Sequence, residues 1–303
     1  MSISEKIAQH YNLIAKDYAE HSYLAQQTFA ELFGRLQLLN IPFDEVLDLG
    51  CGSGHSLEYL SKHFPKANLH FLDISAKMLE FAMQKRNFKQ RFISRPKFHL
   101  HDIDQNSLPE KLAEERLSLV LANLVLPYVS STENSFEKIQ KLLNRNGVFC
   151  FSSFGPDSFQ ELRMAIQSVL ENDANKGKSA QIAEQIILGQ LVDMHILGDG
   201  LLKAGFREPV MDVERLTLHY SSFESLWTEL TGAGLIIADL QDEQKNTIAQ
   251  AYEPFCTEDA HWPVTVEVVY GQAWANSNQA ISEFRQKQQN GEVYFPLDQI
   301  KRR

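Results

Sequence analysis

Apolar residues recur at two spacings along this chain, and each spacing predicts a different kind of element. Over residues 3–38 they return about every 3.6 positions, which is typical of helix. Beyond Pro42, short apolar runs of strand length alternate with helical segments. The predicted strands cover residues 45–50, 68–73, 97–101, 117–122 and 148–154, and the predicted helices cover 55–63, 76–85 and 133–143. Asn146-Gly147 is predicted to be the turn before the fifth strand. This order predicts a parallel sheet with helices on both faces.

The pattern changes after Gly155. Residues 158–171 and 181–204 are predicted to be helical, and two further strands are predicted at 210–220 and 265–273, with a helix at 223–230. We therefore expect one α/β domain with a Rossmann-like, seven-stranded sheet, helices on both faces and a helical insertion after strand 5. The expected organisation is an N-terminal helical cap (1–40), the main domain (41–155 and 205–275), a helical insertion or lid (156–204) and a polar C-terminal tail (276–303).

Composition narrows the class of protein. The chain has 303 residues, 44% of them apolar, which is enough for a sizeable core. Its net charge of −10 makes it a poor general binder of nucleic acid, because phosphate contacts come from Lys and Arg. No apolar run is long enough for a membrane span, and the first ten residues lack the apolar core of a secretory signal. Three widely spaced cysteines, Cys51, Cys150 and Cys256, do not form a disulfide framework, so we expect a cytoplasmic protein.

The most informative segment is the glycine-rich turn LDLGCGSG at 47–54, which follows a strand and precedes a helix. Such glycines let backbone N–H groups and the positive end of the helix approach a ligand. The G-x-G-x-G spacing is one residue shorter than the G-x-G-x-x-G of dinucleotide sites, which favours a ligand without a pyrophosphate. Asp73 ends the second strand, where a carboxylate can accept hydrogen bonds from both hydroxyls of a ribose.

Four motifs in this order make the chain resemble the class I S-adenosylmethionine-dependent methyltransferases. They are LDLGCGSG (47–54), FLDIS (71–75), HDIDQNSLP (101–109) and ANLVLPYV (122–129). The resemblance implies S-adenosylmethionine as the methyl donor. Asp73 would hold the ribose, Asp102 the adenine amino group, and Ile103 the adenine ring. Asn123 and Leu124 would line the methionine end. The cofactor-binding residues implied by the four motifs and the N-terminal helix are Asp48, Gly50, Cys51, Gly52, Gly54, Asp73, Ile74, Asp102, Ile103, Asn123, Leu124 and Tyr11.

A metal site is not expected. His99 and His101 lie near Asp102, but strand alternation places the two histidines on one face and Asp102 on the other. No H-x-x-x-H or C-x-x-C spacing supports metal binding there.

The second half carries a narrower resemblance, to the biotin-synthesis malonyl-[acyl-carrier protein] O-methyltransferases. FGPDSFQELR (154–163) is similar to their GPxTxxELR segment, and VDMHILGD (192–199) to their DMHDIGD segment. The resemblance implies methylation of the free carboxylate of malonyl on an acyl-carrier protein, in biotin (pimeloyl) synthesis. Pro127, Tyr128 and Ile196 depart from the family pattern, which affects the expected acceptor pocket.

A carboxylate acceptor needs no general base, because it is ionised at neutral pH. Alignment of the reacting groups and exclusion of water then remain for the protein to supply. Arg163 is the candidate to bind the carboxylate, since guanidinium offers a fixed fork of donors. His195 could line the same pocket. Tyr18 lies seven residues after Tyr11, on the same face of the N-terminal helix, and the family resemblance implies that it would reach toward the methionine end. The alternatives are a solvated Arg163, a packed His195 and a packed aromatic stripe for the tyrosines.

A basic segment, Lys85-Lys97, contains six Lys and Arg residues and no acid. It is either a solvated loop or a docking site for an acidic acyl-carrier protein. Three alternatives to the malonyl substrate stay open. They are methylation of another small carboxylate, an arginine hydroxylase or assembly factor with much of the same pattern, and a non-catalytic module that binds the cofactor.

Overall fold

The computed structural model describes residues 2–39, 41–87, 90, 96–105, 109, 112, 117–172, 186–238 and 240–275. The strands are β1 (Glu45–Leu49), β2 (Asn68–Asp73), β3 (Lys97–Leu100), β4 (Leu117–Asn123), β5 (Leu143–Phe154), β6 (Ile186–Leu188), β7 (Arg207–Tyr220), β8 (Ile236–Ala238) and β9 (Trp262–Trp274). The α-helices are α1 (Ile3–Ile14), α2 (Tyr18–His21), α3 (Tyr23–Gln37), α4 (Ser56–His63), α5 (Ala76–Gln84), α6 (Thr132–Leu142), α7 (Gln160–Asn172), α8 (Met194–Lys203), α9 (Phe223–Gly232) and α10 (Asp242–Tyr252).

Seven strands form the main sheet in the order β3-β2-β1-β4-β5-β9-β7. Strands β1 to β5 pair in parallel, whereas β9 is antiparallel to both β5 and β7. The predicted Rossmann-like, seven-stranded sheet is therefore confirmed. The chain leaves β1 toward β2 on one side and later returns to β4 on the other. This reversal opens a crevice beyond the carboxyl ends of β1 and β4.

The central strands are buried on both faces, which explains why they read as continuous apolar runs. In β4, Leu119 and Leu121 belong to one apolar cluster, whereas Val120 belongs to the other. Phe33 of α3 packs in the first cluster, and Phe136 of α6 packs in the second. The helices therefore cover both faces of the sheet, as predicted.

Two predicted elements are wrong in detail. Asn146-Gly147 is not a turn before a strand, because β5 runs through it from Leu143. The pairing with β4 shifts register over this stretch, so the Asn-Gly signal marks an irregularity inside the strand. A continuous helix over 181–204 is also wrong, since β6 pairs with β8 and helix α8 begins only at Met194. An isolated Ile-Ile-Leu run does not distinguish strand from helix by its spacing.

Several segments differ from, or lie outside, the sequence-based expectations. The predicted N-terminal helix is three helices, interrupted at residues 15–17 and at Ser22. Strand β8 and helix α10 were not predicted. The expected C-terminal tail (276–303), residues 181–185 and much of the basic segment lie outside the described residues. Within the described part of the chain, no helix is long and apolar enough to cross a membrane.

Candidate active site

A cavity of about 860 Å³, open to solvent, lies beyond the carboxyl ends of β1, β2 and β4. Its wall combines the turn after β1, the ends of β2 and β4, the segment after β3 and the N-terminal helices. The residues predicted to bind cofactor or substrate that line it are Gly50, Gly52, Asp73, Ile74, Asp102, Ile103, Asn123, Leu124, Tyr11 and Tyr18. Motifs that are far apart in the sequence thus meet in one place because parallel strands end at the same edge of the sheet.

The glycine turn needs its glycines for two reasons. Gly50, Gly52 and Gly54 have φ angles of 71°, 52° and 77°, a region that side chains disfavour. A Cβ at Gly54 would also lie 2.8 Å from the Cβ of Ala82, so this glycine allows helix α5 to pack closely. Gly54 therefore shapes the turn without lining the cavity, whereas Gly50 and Gly52 line it directly.

Asp73 is held in place by backbone on both sides. Its Oδ2 accepts from the Gly52 N–H at 2.8 Å, and its Oδ1 accepts from the Ser75 N–H at 2.8 Å. Burial raises the pKa of this carboxyl to about 6, against the lowering effect of these N–H donors. The group is therefore mostly ionised at neutral pH. A third backbone donor, the Ile74 N–H, also lowers the pKa, and the carboxylate still has acceptor capacity for a ribose hydroxyl.

A smaller recess adjoins the cavity beside the glycine turn, and Asp48, Cys51 and Asn123 line it. Burial raises the pKa of Asp48 to about 7, although the Ser56 hydroxyl donates to its carboxylate and opposes this rise. Asn123 is fixed, since its Nδ2 donates to the Ala25 carbonyl at 2.9 Å and its Oδ1 accepts from a serine hydroxyl at 2.8 Å. The Asp48 carboxyl and the fixed Asn123 amide therefore line the same recess beside the glycine turn.

Three tyrosine side chains line the cavity, and they differ in their hydrogen bonds. The Tyr11 hydroxyl donates to the Gly234 carbonyl at 3.2 Å, and the Tyr128 hydroxyl donates to the Leu235 carbonyl at 3.1 Å. The Tyr18 hydroxyl makes no hydrogen bond to any residue that the structure describes. Burial raises the pKa of all three phenols, so each keeps its proton at neutral pH. Tyr18 is therefore the tyrosine donor available to a ligand.

Arg163 and His195 are not brought into this cavity. The Arg163 guanidinium, exposed on α7, donates to the carbonyls of Pro156 and Ser158 at 2.5 and 3.3 Å. His195 has a side chain that is 78% exposed and pairs with Asp193 at 2.9 Å. Among the described residues that line the cavity, none is Lys or Arg.

Residues 233–235 complete the wall, and sequence reasoning missed them. Ala233 and Leu235 line the cavity. The segment lies far along the chain and has no motif. Its one local signal is Gly234, with a φ of 70° and no room for a Cβ, which would lie 2.5 Å from the Tyr11 ring.

Comparison with known proteins identifies the family. Residues 43–209 match the family model described as a methyltransferase domain. The malonyl-[acyl-carrier protein] O-methyltransferase of Legionella pneumophila is 31% identical over 99% of both chains. The protein of the same name from a Methylovorus species is 30% identical, over 89% of this chain and 88% of its own.

The chain belongs to this O-methyltransferase family. It is therefore an S-adenosylmethionine-dependent enzyme, and the cavity fits that cofactor by its glycine cradle and the Asp73 carboxylate. The fold agrees, since the YcgJ protein of Bacillus subtilis superposes with a TM-score of 0.57 at 12% identity, over 82% of this chain and all of that one. Among the described residues, no group of three His, Cys, Asp or Glu side chains could hold a metal ion.

Proposed function

We propose that this enzyme methylates the free carboxylate of malonyl carried by an acyl-carrier protein, as the names of its relatives indicate for those proteins. One observation supports the proposal most. The cavity combines a cofactor cradle with a single available phenol donor, Tyr18, and Leu124, Val125, Tyr128 and Leu235 form an apolar and aromatic part of its wall. Forming the methyl ester removes the negative charge of the malonyl carboxylate. The group is then apolar during the later chain extension of biotin synthesis. We place this step in the cytoplasm.

The residues around Tyr18 suit a carboxylate acceptor. Bound S-adenosylmethionine supplies a methyl group on a sulfonium, which an ionised carboxylate can accept without a general base. Methyl transfer would break the S–CH3 bond, form an O–CH3 bond and neutralise both the sulfonium and the carboxylate, so a wall formed by Leu124, Tyr128 and Leu235 favours the transfer. The Tyr18 hydroxyl can donate to one carboxylate oxygen and leave the other free to react. Several cationic side chains around the carboxylate would instead make the reacting oxygen less nucleophilic.

The acceptor contact that we propose is therefore Tyr18. The position of Arg163, outside the cavity and bonded to two carbonyls, favours a supporting role in which it holds the turn after β5. We propose no acceptor contact for His195, because its exposed side chain pairs with Asp193 outside the cavity. The acidic carrier protein is proposed to dock near the start of the basic segment. There, Lys85 donates to Ser53 of the glycine turn at 3.3 Å, next to the cofactor site.

The test is to incubate the enzyme and S-adenosylmethionine with carrier protein loaded with malonyl, acetyl or glutaryl, and to measure intact mass. We expect efficient methylation of the malonyl carrier alone, seen as the mass of one methyl group in place of one hydrogen. Equal gain on acetyl carrier would refute carboxylate methylation. Gain of an oxygen atom on another protein would support the hydroxylase alternative. Preferential methylation of free malonyl-coenzyme A would refute the carrier as the partner.

A further inference from the structure

Helix α1 is connected to the Asp73 carboxylate by a short chain of hydrogen bonds. Asn12 Oδ1, on α1, accepts from the Ser75 hydroxyl at 2.8 Å and from the Lys77 N–H at 3.0 Å. The Ser75 N–H donates in turn to Asp73 Oδ1 at 2.8 Å. The other Asp73 oxygen is bound by Gly52. A single residue, Ser75, therefore lies between Asn12 and the group that accepts the ribose.

Ser75 depends on Asn12 for its own geometry. It is fully buried and is the N-cap of helix α5, so its hydroxyl oxygen accepts from the Met78 N–H at 3.1 Å. The hydroxyl proton must then find another acceptor, and Asn12 Oδ1 is that acceptor. Asn12 Oδ1 also accepts from the Lys77 N–H, which lies in the first turn of α5 and has no acceptor within that helix. Asn12 thus acts as a second cap on α5, supplied by another helix.

Helix α1 is held mainly by polar contacts at its C-terminal end. Among residues 3–14, Ile7 alone is buried. At the end of α9, His10 Nε2 contacts the Thr231 carbonyl at 3.2 Å, and the Tyr11 hydroxyl donates to the Gly234 carbonyl. The helix therefore spans the cavity between α5 and the end of α9.

We propose that Asn12 is a positioning residue that couples the closed position of α1 to the orientation of Asp73. When α1 covers the cavity, Asn12 fixes Ser75, and Ser75 aims its N–H at Asp73 so that both carboxylate oxygens face the ribose. By linkage, a bound ribose diol stabilises α1 in place to the same extent. This inference rests on the cofactor assignment and is independent of the acceptor substrate.

The test measures discrimination between S-adenosylhomocysteine and its 2′-deoxy analogue by calorimetry. Wild type is expected to prefer the diol by about tenfold or more, because a charge-assisted bond to Asp73 is lost in the analogue. Asn12→Ala is expected to reduce this preference at least about threefold and to speed ligand dissociation. Asn12→Asp keeps the acceptor oxygen and should restore the preference. Ser75→Ala removes the same link from the other side and should also reduce it.

Two control variants separate positioning from simple attachment of the helix. His10→Ala loosens α1 on the other side but keeps the Asn12–Ser75 contact, so by the same coupling it should lower the ratio less than Asn12→Ala does. Leu13→Ala, at a position 81% exposed, should change neither affinity nor ratio. A wild-type ratio in Asn12→Ala would overturn this proposal alone. No preference for the diol in wild type would overturn the role of Asp73 and this proposal with it. Thermal melting of the ligand-free variants confirms that each one is folded.

Discussion

Replacing Asp73 by Asn gives opposite expectations for cofactor binding and for protein stability. Asn has the same shape, but one carboxylate oxygen becomes an NH2 group. That group then faces the N–H of either Gly52 or Ser75, each of which now donates to Asp73 at 2.8 Å. One backbone donor loses its acceptor, and one ribose hydroxyl loses a charged acceptor. Cofactor affinity should therefore fall although the side chain keeps its volume.

The size of the loss follows from the bonds that are broken. A hydrogen bond to a charged group contributes about 1.5–3 kcal/mol, so S-adenosylmethionine affinity should fall about 10- to 150-fold. Asp73→Ala should lose at least as much. Stability should move the other way. Because burial raises the pKa of Asp73 to about 6, ionising this group as the pH rises through that value costs folding free energy. The Tm of ligand-free Asp73→Asn relative to wild type should therefore rise as the pH increases through about 6, because only the wild type has to ionise this buried group.

The assay is calorimetric titration with S-adenosylmethionine, accompanied by thermal melting without ligand. Asp44→Asn serves as the charge-matched control, since Asp44 is exposed, lies just before β1 and is absent from the cavity wall. We expect wild-type affinity in the control. Unchanged affinity in Asp73→Asn would refute the ribose assignment. A matching loss in Asp44→Asn would show that overall charge, rather than the Asp73 contact, controls binding.

Three further predictions concern the acceptor, the pH and Arg163. Tyr18→Phe should lower kcat/KM for malonyl carrier about 10- to 100-fold with little change in cofactor affinity, and an equal loss of affinity would contradict the proposed acceptor contact. Protonation of Asp73 below about pH 6 removes a ribose acceptor, so the affinity advantage of wild type over Asp73→Asn should shrink on acidification and return above pH 6. A constant advantage would be inconsistent with that titration. Arg163→Ala should lower kcat/KM less than Tyr18→Phe, because its guanidinium bonds to Pro156 and Ser158; a larger loss would make Arg163 the acceptor contact.

The cofactor side of the cavity was predictable because each of its motifs is local. A strand followed by glycines, or one that ends at Asp73, can be recognised from a few neighbouring residues. The parallel arrangement of the strands then brings these ends together. The acceptor side depends on contacts between distant segments. Nothing near Leu235 in the sequence shows that Tyr128 donates to its carbonyl. A family motif placed Arg163 near the pocket, but its side chain satisfies nearby carbonyls instead.

The secondary structure shows the same division between local and distant signals. Helix α6 has a strong helical periodicity and β4 is a continuous apolar run, and both were predicted within a residue or two. The Asn146-Gly147 pair has the composition of a turn, but pairing with β4 keeps it in a strand. Strand β6 is short, and it exists because β8, some fifty residues later in the chain, pairs with it. No periodicity within residues 186–188 could have indicated that partner.

The most direct test of the account is to locate the transferred methyl group. The enzyme is incubated with malonyl carrier protein and S-adenosylmethionine bearing an isotopically labelled methyl, and the product is analysed by NMR and by fragmentation of the released acyl group. We expect the label in a methyl ester at the distal malonyl carboxylate, formed by wild type and much more slowly by Tyr18→Phe. Label on carbon, on nitrogen or on the carrier polypeptide, with an unmodified malonyl carboxylate, would contradict it.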